Sequence, residues 1–157
     1  MIKFYTRFTL LLLLILCGCS YINKKNEDMP SHPLLRDLVK AGGYFEVVYF
    51  AVDSFELNIE AEDILMRTAR MQAVSKTYVY LSGHADKTGK KPSNFELSGK
   101  RVNAAKDYLI GLGVQEDNIH TEYFGDEQPA AEGDNPEAYA KNRRVEIVLA
   151  NKKPEQK

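Results

Sequence analysis

The sequence predicts an α+β sandwich: a mixed parallel and antiparallel four-stranded sheet with helices packed on it, in the order β-α-β-α-β-β. Three observations predict it. Short aromatic and β-branched stretches recur at Tyr44–Val52, Thr77–Gly83, Ile119–Phe124 and Arg144–Leu149. Two longer stretches, Ile59–Ser75 and Phe95–Leu112, space their apolar residues as helices do. Strands that alternate with helices and then follow one another directly place helices on a mixed sheet. At 157 residues, the chain holds one ordinary domain once its ends are set aside.

The ends read differently from the middle. Residues 1–18 form a signal segment, with Lys3 and Arg7 ahead of the uncharged apolar run Leu10–Leu16. That run is too short to cross a hydrocarbon core, which needs about twenty residues. Leu16-Cys17-Gly18-Cys19 resembles a bacterial lipobox, in which the last cysteine is acylated, with palmitate or a similar chain, and becomes the mature N-terminus. The resemblance implies lipidation at Cys19; an ordinary signal peptide with a cysteine near its cleavage site is the alternative. Cys17 would leave with the signal and Cys19 would be capped, so no thiol would remain to pair. Several acyl chains on one residue anchor stably where one would be marginal. By the sorting rule of such lipoproteins, Ser20 implies an outer-membrane address. Residues 19–43 are polar, with Pro30 and Pro33, and read as a tether, within which Leu34–Val39 could form a short helix or pack on the domain. Residues 44–150 are the folded domain, and residues 151–157 a polar tail.

Along the domain, Tyr44–Val52 alternates Phe45, Val47, Tyr49 and Ala51 with Val48 and Phe50, as a strand does. Ile59–Ser75 starts with Glu60, Glu62 and Asp63, which suit the positive end of a helix, and carries an inner stripe of Ile64, Leu65, Thr68 and Met71. Tyr78-Val79-Tyr80-Leu81 is apolar without interruption, as in a strand covered on both faces. The second helix carries Leu97, Ala104, Ala105, Tyr108 and Leu112 inward and stops at Gly111 and Gly113. A long loop bearing Gly, Pro and Asp separates the last two strands.

Several polar residues stand where chain breaks let side chains converge. Arg101 follows Leu97 by one helical turn and points inward, so its charge needs a partner. A ligand anion and a structural carboxylate both answer that need. Asp86 leaves the C-terminal end of a strand, where ligands of open sheets bind, although an aspartate there also caps turns. Asn94 precedes the second helix and suits its N-cap, a place that also offers free N–H groups to an anion.

Gly83-His84-Ala85-Asp86, Gly89, Asn94, Leu97-Ser98, Arg101, Tyr108-Leu109, Gly113-Val114 and Asn142-Arg143-Arg144-Val145-Glu146 together resemble the OmpA-like C-terminal domain over Phe45–Leu149. The lipid, tether and single domain resemble the layout of peptidoglycan-associated lipoproteins (Pal). The resemblance implies a peptidoglycan-binding domain in which Asp86 and Arg101 grip diaminopimelate of the stem peptide. It also places Asn94, Asp53 and the Asn142-Arg143-Arg144 corner around the same pocket. Asp86 would hold the ammonium of that zwitterion and Arg101 its carboxylate. The implied location is the outer membrane, lipid-anchored, with the domain in the periplasm. A periplasmic β-propeller protein of a Tol-Pal type system is the implied protein partner. The family's first strand usually ends Phe-Asp-x-Asp, whereas this chain reads Phe50-Ala51-Val52-Asp53. Lys90-Lys91-Pro92 likewise replaces a Thr/Pro/Glu-type loop.

Other function classes fit less well. With 21 basic against 22 acidic residues there is no field to attract nucleic acid. His32, His84 and His120 lack metal-ligand spacing, and no cofactor motif is present. Ser82, His84 and Asp86 alternate along one strand, side by side, whereas a hydrolase triad needs groups aimed at one another. The expectation is a non-enzymatic wall-binding lipoprotein; a module that docks another protein is the alternative.

Overall fold

The computed structural model describes residues 29–153. The signal segment, Cys19 and the expected tether as far as residue 28 lie outside the described residues, as does the tail from residue 154. The described elements are α1 (Pro33–Lys40), β1 (Tyr44–Tyr49), α2 (Ile59–Ser75), β2 (Tyr78–Gly83), α3 (Lys91–Gly111), a 3₁₀ turn (Glu116–Asn118), β3 (Ile119–Tyr123), α4 (Pro136–Asn142) and β4 (Arg144–Ala150). The strands form one sheet in the order β1-β4-β2-β3. β4 runs antiparallel to both of its neighbours, and β2 and β3 are parallel. The mixed four-stranded sheet and the two long helices, α2 and α3, are as the sequence predicts.

Alternation along the central strands sorts the core into two layers. Val145, Ile147 and Leu149 of β4 join Val79 and Leu81 of β2 beneath α2 and α3, with Leu65, Val102, Ala105 and Leu109 filling the space. The opposite residues, Tyr80, Val148 and Ala150, pack with Leu35 and Leu38 of α1. The second half of the expected tether is therefore helix docked on the back of the sheet, and the segment left between Cys19 and the domain is shorter. The cause is local: Leu35 and Leu38, three residues apart, give α1 one buried edge within a polar stretch.

Several boundaries differ from the sequence reading. β1 ends at Tyr49, and Ala51 and Val52 belong to an exposed loop. α2 is bounded as expected, with Asn58 Oδ1 accepting from Ala61 N at 2.8 Å. Its buried residues are Ala61, Leu65, Thr68, Ala69 and Gln72, and Met71 is 38% exposed. α3 begins at Lys91, with Pro92 in its first turn, where proline's missing N–H does no harm. Its buried line runs through Asn94, Ser98, Gly99, Arg101, Val102, Ala105 and Leu109; Leu112 is 44% exposed. Of the expected stripe, Ala105 is buried and Leu97, Ala104 and Tyr108 are half-buried, while Ser98 and Gly99 bring the helix close to the sheet. A Cβ on Gly83 of β2 would lie 2.5 Å from both Ser98 O and Val102 Cγ2, so the backbones meet too closely for larger groups. The loop before β4 holds a helix that was not anticipated, α4, started by Asn135 Oδ1 accepting from Ala138 N at 2.8 Å.

Candidate functional site

The C-terminal end of β2, the loop after β1 and the first half of α3 enclose a cleft of about 270 Å³. It is lined by Val52, Asp53, Ala85, Asp86, Thr88, Gly89, Ser93, Asn94, Leu97 and Arg101. That is smaller than the roughly 300–1,000 Å³ typical of sites for drug-sized ligands, and it suits a single amino-acid headgroup. Asp86, Arg101, Asn94 and Asp53, expected here from the sequence, all line it. Arg143 approaches from behind, through Asp86.

Arg101 is fully buried, as its place on α3 predicts. Its partners within the domain are backbone carbonyls, and not the structural carboxylate that was one of the two expected alternatives. Nε donates to Ser54 O at 2.8 Å, Nη1 to His84 O at 3.0 Å and Nη2 to Ala51 O at 3.2 Å. Those three bonds tie the loop after β1 to the end of β2. They occupy three of the guanidinium's five N–H groups and leave one on each Nη. Burial lowers the pKa of Arg101 to about 10, against the opposing pull of Asp86 and Asp53 and with Arg143 adding to the fall, so the group stays charged at neutral pH. The Phe50 ring lies 5.3 Å from the guanidinium carbon. Because Ala51 takes part through its carbonyl, the missing aspartate side chain leaves this anchor intact.

Asp86 does not pair with Arg101. Its Oδ2 accepts from Arg143 Nη1 at 3.0 Å, and Arg143 Nε in turn donates to Phe50 O at 3.1 Å. The Oδ1 atom accepts from Thr88 N at 3.0 Å and from the Thr88 hydroxyl. Asp86 thus caps the turn and faces the cleft at once, and Oδ2 keeps a lone pair for a further donor. Burial pushes the carboxyl up, but the bonds from Thr88 and Arg143 outweigh it and hold its pKa below the usual carboxylate range. The charge therefore persists throughout the neutral and mildly acidic range.

Asn94 lies inside the first turns of α3, not at its N-cap, which is Lys90. It is only 4% exposed, and its Nδ2 has no partner. A Cβ on Gly89 would meet Asn94 Oδ1 at 2.3 Å, so glycine lets the loop close over the amide. Asp53 has φ +51°, a left-handed conformation that aspartate tolerates better than most residues.

The rest of the Asn142–Arg144 corner serves the fold. Asn142 Oδ1 accepts from Ala130 N and Ala131 N at 2.8 and 3.0 Å, pinning the loop before α4. Arg144, 1% exposed, turns to the back of the sheet and donates to Glu146 Oε1 from Nε at 2.9 Å and Nη2 at 2.7 Å. Ser31 N donates to both oxygens of Glu146 at 3.1 Å, and Arg144 Nη2 reaches Ser31 Oγ at 3.0 Å. The segment leading to α1 is thus fastened to a buried ion pair. No feature of the sequence around Ser31 foretells this.

Ser82 Oγ and His84 Nε2 lie 3.1 Å apart, but both residues are buried on the back of the sheet, while Asp86 faces the cleft. The three form no triad. The His84 ring stacks on Phe124 at 5.6 Å. Burial pushes its pKa down to about 2, reinforced by the Arg144 charge and by His32. The 3.9 Å approach of His84 Nε2 to Glu146 therefore joins a neutral ring to a carboxylate already held by arginine. A ring neutral when folded takes up a proton when unfolded below pH 6.5, so stability is full above that pH and falls as the pH drops below it. Urea unfolding should lose about 1.2 kcal/mol between pH 6 and 5 from this group. His84→Phe should flatten that slope; an unchanged slope would show that His84 titrates normally in the fold.

A family model described as the OmpA family matches residues 49–143. The peptidoglycan-associated lipoprotein of Pasteurella multocida is 33% identical over 135 residues, which are 85% of this chain and 87% of that protein. The peptidoglycan-binding protein ArfA of Mycobacterium bovis is 38% identical over 103 residues, 65% of this chain but 32% of its own length. The crystal structure of the peptidoglycan-associated lipoprotein from Burkholderia pseudomallei superposes with a TM-score of 0.63 at 28% identity, covering 66% of this chain and 88% of that one. The resemblance first drawn from the Gly83–Asp86, Asn94–Arg101 and Asn142–Glu146 blocks is borne out by sequence and by fold: the chain belongs to the OmpA family.

Proposed function

We propose that this chain is an outer-membrane lipoprotein whose periplasmic domain binds peptidoglycan without covalent chemistry, through the diaminopimelate of the stem peptide. One observation carries the reading: a carboxylate and a guanidinium of separate elements line one headgroup-sized cleft, each with hydrogen-bonding capacity left over. The diaminopimelate side chain ends in an ammonium and a carboxylate on one carbon. Asp86 Oδ2 accepts from the ammonium beside its bond to Arg143. The two spare N–H groups of Arg101 and the unpartnered Asn94 Nδ2 receive the carboxylate. Three carbonyl bonds fix the guanidinium beforehand, so little side-chain freedom is lost on binding.

Charge-assisted hydrogen bonds contribute about 1.5–3 kcal/mol each, and a few of them supply the roughly 8 kcal/mol of micromolar binding. That is enough for a tethered domain facing a polymer with many identical sites. Lipid at Cys19 and the wall grip would together hold outer membrane and cell wall side by side; relatives named as peptidoglycan-associated lipoproteins support the lipid and the wall grip. A periplasmic β-propeller partner of the Tol-Pal type belongs to the same proposal, through the shared layout. In sedimentation with purified peptidoglycan, wild-type protein should pellet and Asp86→Ala should stay in the supernatant. Equal pelleting would remove Asp86 from the site.

A further inference from the structure

We infer that the outer edge of β3 pairs with the same edge of a second copy of this chain, joining two four-stranded sheets into one. β3 ends the sheet, with β2 as its one neighbour. Phe124 N, just past β3, donates to Gly83 O at 2.9 Å across the β2–β3 ladder. A strand sends the backbone groups of successive residues to opposite sides, so His120 and Glu122 bond to β2 while Ile119, Thr121 and Tyr123 face outward. The Ile119 N–H is taken by Glu116 O in the 3₁₀ turn. The Ile119 carbonyl and both backbone groups of Thr121 and Tyr123 meet no partner among the described residues.

Proteins usually blunt such an edge with Lys, Pro or a bulge. Ile-His-Thr-Glu-Tyr contains none of these, and its register with β2 is unbroken. α3 packs over β4, β2 and β3 on one face and α1 on β4 on the other, and every β3 residue stays half-buried or exposed.

The edge is complementary to itself. Turned antiparallel about Thr121, it sets Thr121 against Thr121, Ile119 against Tyr123 and His120 against Glu122. The two Thr121 residues exchange N–H···O bonds, and each Tyr123 N–H donates to the Ile119 carbonyl of the other copy. His120 and Glu122 then fall at the non-hydrogen-bonded positions, where opposing side chains lie closest. Within each chain His120 Nε2 is 3.6 Å from Glu122 Oε1, so pairing gathers two imidazoles and two carboxylates into one ring. On the other face Tyr123, 44% exposed and edge-on to the half-exposed Phe95 ring at 4.9 Å, covers Ile119 of the second copy. The adjacent registers that keep the bonds would oppose His120 to His120 or Glu122 to Glu122, so one register is favoured. The two-fold axis stands perpendicular to the sheet and leaves α1 of both copies on the same face, as two chains held by one membrane require. So short a contact is weak alone, but anchoring in one plane raises the effective concentration. The pairing does not depend on what the cleft binds.

Disulfide trapping of the full-length chain in detergent tests this, with the wild type as background for Cys17 and Cys19. Thr121→Cys should link two chains, because hydrogen-bonded cross-strand pairs place Cα atoms about 5.5 Å apart, within disulfide reach. Tyr123→Cys, although more exposed, should not link to itself but should link to Ile119→Cys when the two proteins are mixed. Sedimentation equilibrium gives a second readout. His120→Glu should weaken self-association about tenfold, since two cross-strand pairs turn repulsive together, and adding Glu122→His should restore it. Thr121→Cys that links no more than wild type, equal linking by Tyr123→Cys alone, or a swap that restores nothing would each overturn the pairing.

Discussion

Replacing Glu146 with alanine should lower the free energy of unfolding by about 3–5 kcal/mol, the usual penalty for stranding a buried charge. Arg144 would remain 1% exposed with its main acceptor gone, since its other contacts are Ser31 Oγ and the carbonyls of Gln128 and Asn142. Ser31 N would lose both acceptor oxygens, so α1 should loosen from the sheet as well. Urea unfolding measures the first effect, and amide exchange at Leu35 and Leu38 reports the second. Removing both charges together, as in Arg144→Met with Glu146→Leu, should restore much of the loss, because a buried pair is itself barely favourable against an apolar replacement. A single Glu146→Ala variant that loses less than about 1 kcal/mol would mean that water reaches Arg144.

Arg101→Lys should abolish pelleting with the wall and lower stability by about 3 kcal/mol, the value of one or two charge-assisted bonds. A lysine amine is a single point on a shorter stem and cannot span the carbonyls of Ser54, His84 and Ala51 at once. The loop through Val52 and Asp53 would lose its fastening to β2, and the cleft would lose a wall together with its carboxylate donor. Thermal unfolding separates the two contributions: a folded variant that fails to bind supports the assigned role, and one that binds like the wild type refutes it. Asp86→Ala offers the complementary case, because its contacts are confined to Thr88 and Arg143 and the fold should survive it.

Much of this architecture can be read from the residue pattern, and the parts that cannot have physical reasons. Alternation gave all four strands to within a few residues, since a sheet covered on both faces leaves its central strands no polar register to slip into. The inward placement of Arg101 followed from its spacing to Leu97, and the place of Asp86 from the end of β2. The partners were beyond reach. Asp86 chooses Arg143, at the end of α4 and far along the chain, and Arg101 chooses three carbonyls, which carry no side-chain signature. The inner faces of α2 and α3 were read only in part: Leu65, Thr68 and Ala105 are buried as expected, but Gln72, Ser98 and Gly99, small or polar residues, also sit inward where bulky ones were sought. Gln72 is accommodated because its Nε2 donates to Thr77 O at 3.1 Å. α1, foreseen only as one option for Leu34–Val39 within the tether, joins the domain because two leucines within a polar segment bury it.

The most direct test of the wall-binding account is a crystal structure of the domain with a diaminopimelate-bearing stem peptide bound. The account predicts the side-chain ammonium at about 3 Å from Asp86 Oδ2 and the neighbouring carboxylate at similar distance from Arg101. The Asp86–Arg143 bond should be retained beside them. A peptide bound elsewhere on the domain, with the cleft between Asp86 and Arg101 left empty, would contradict it.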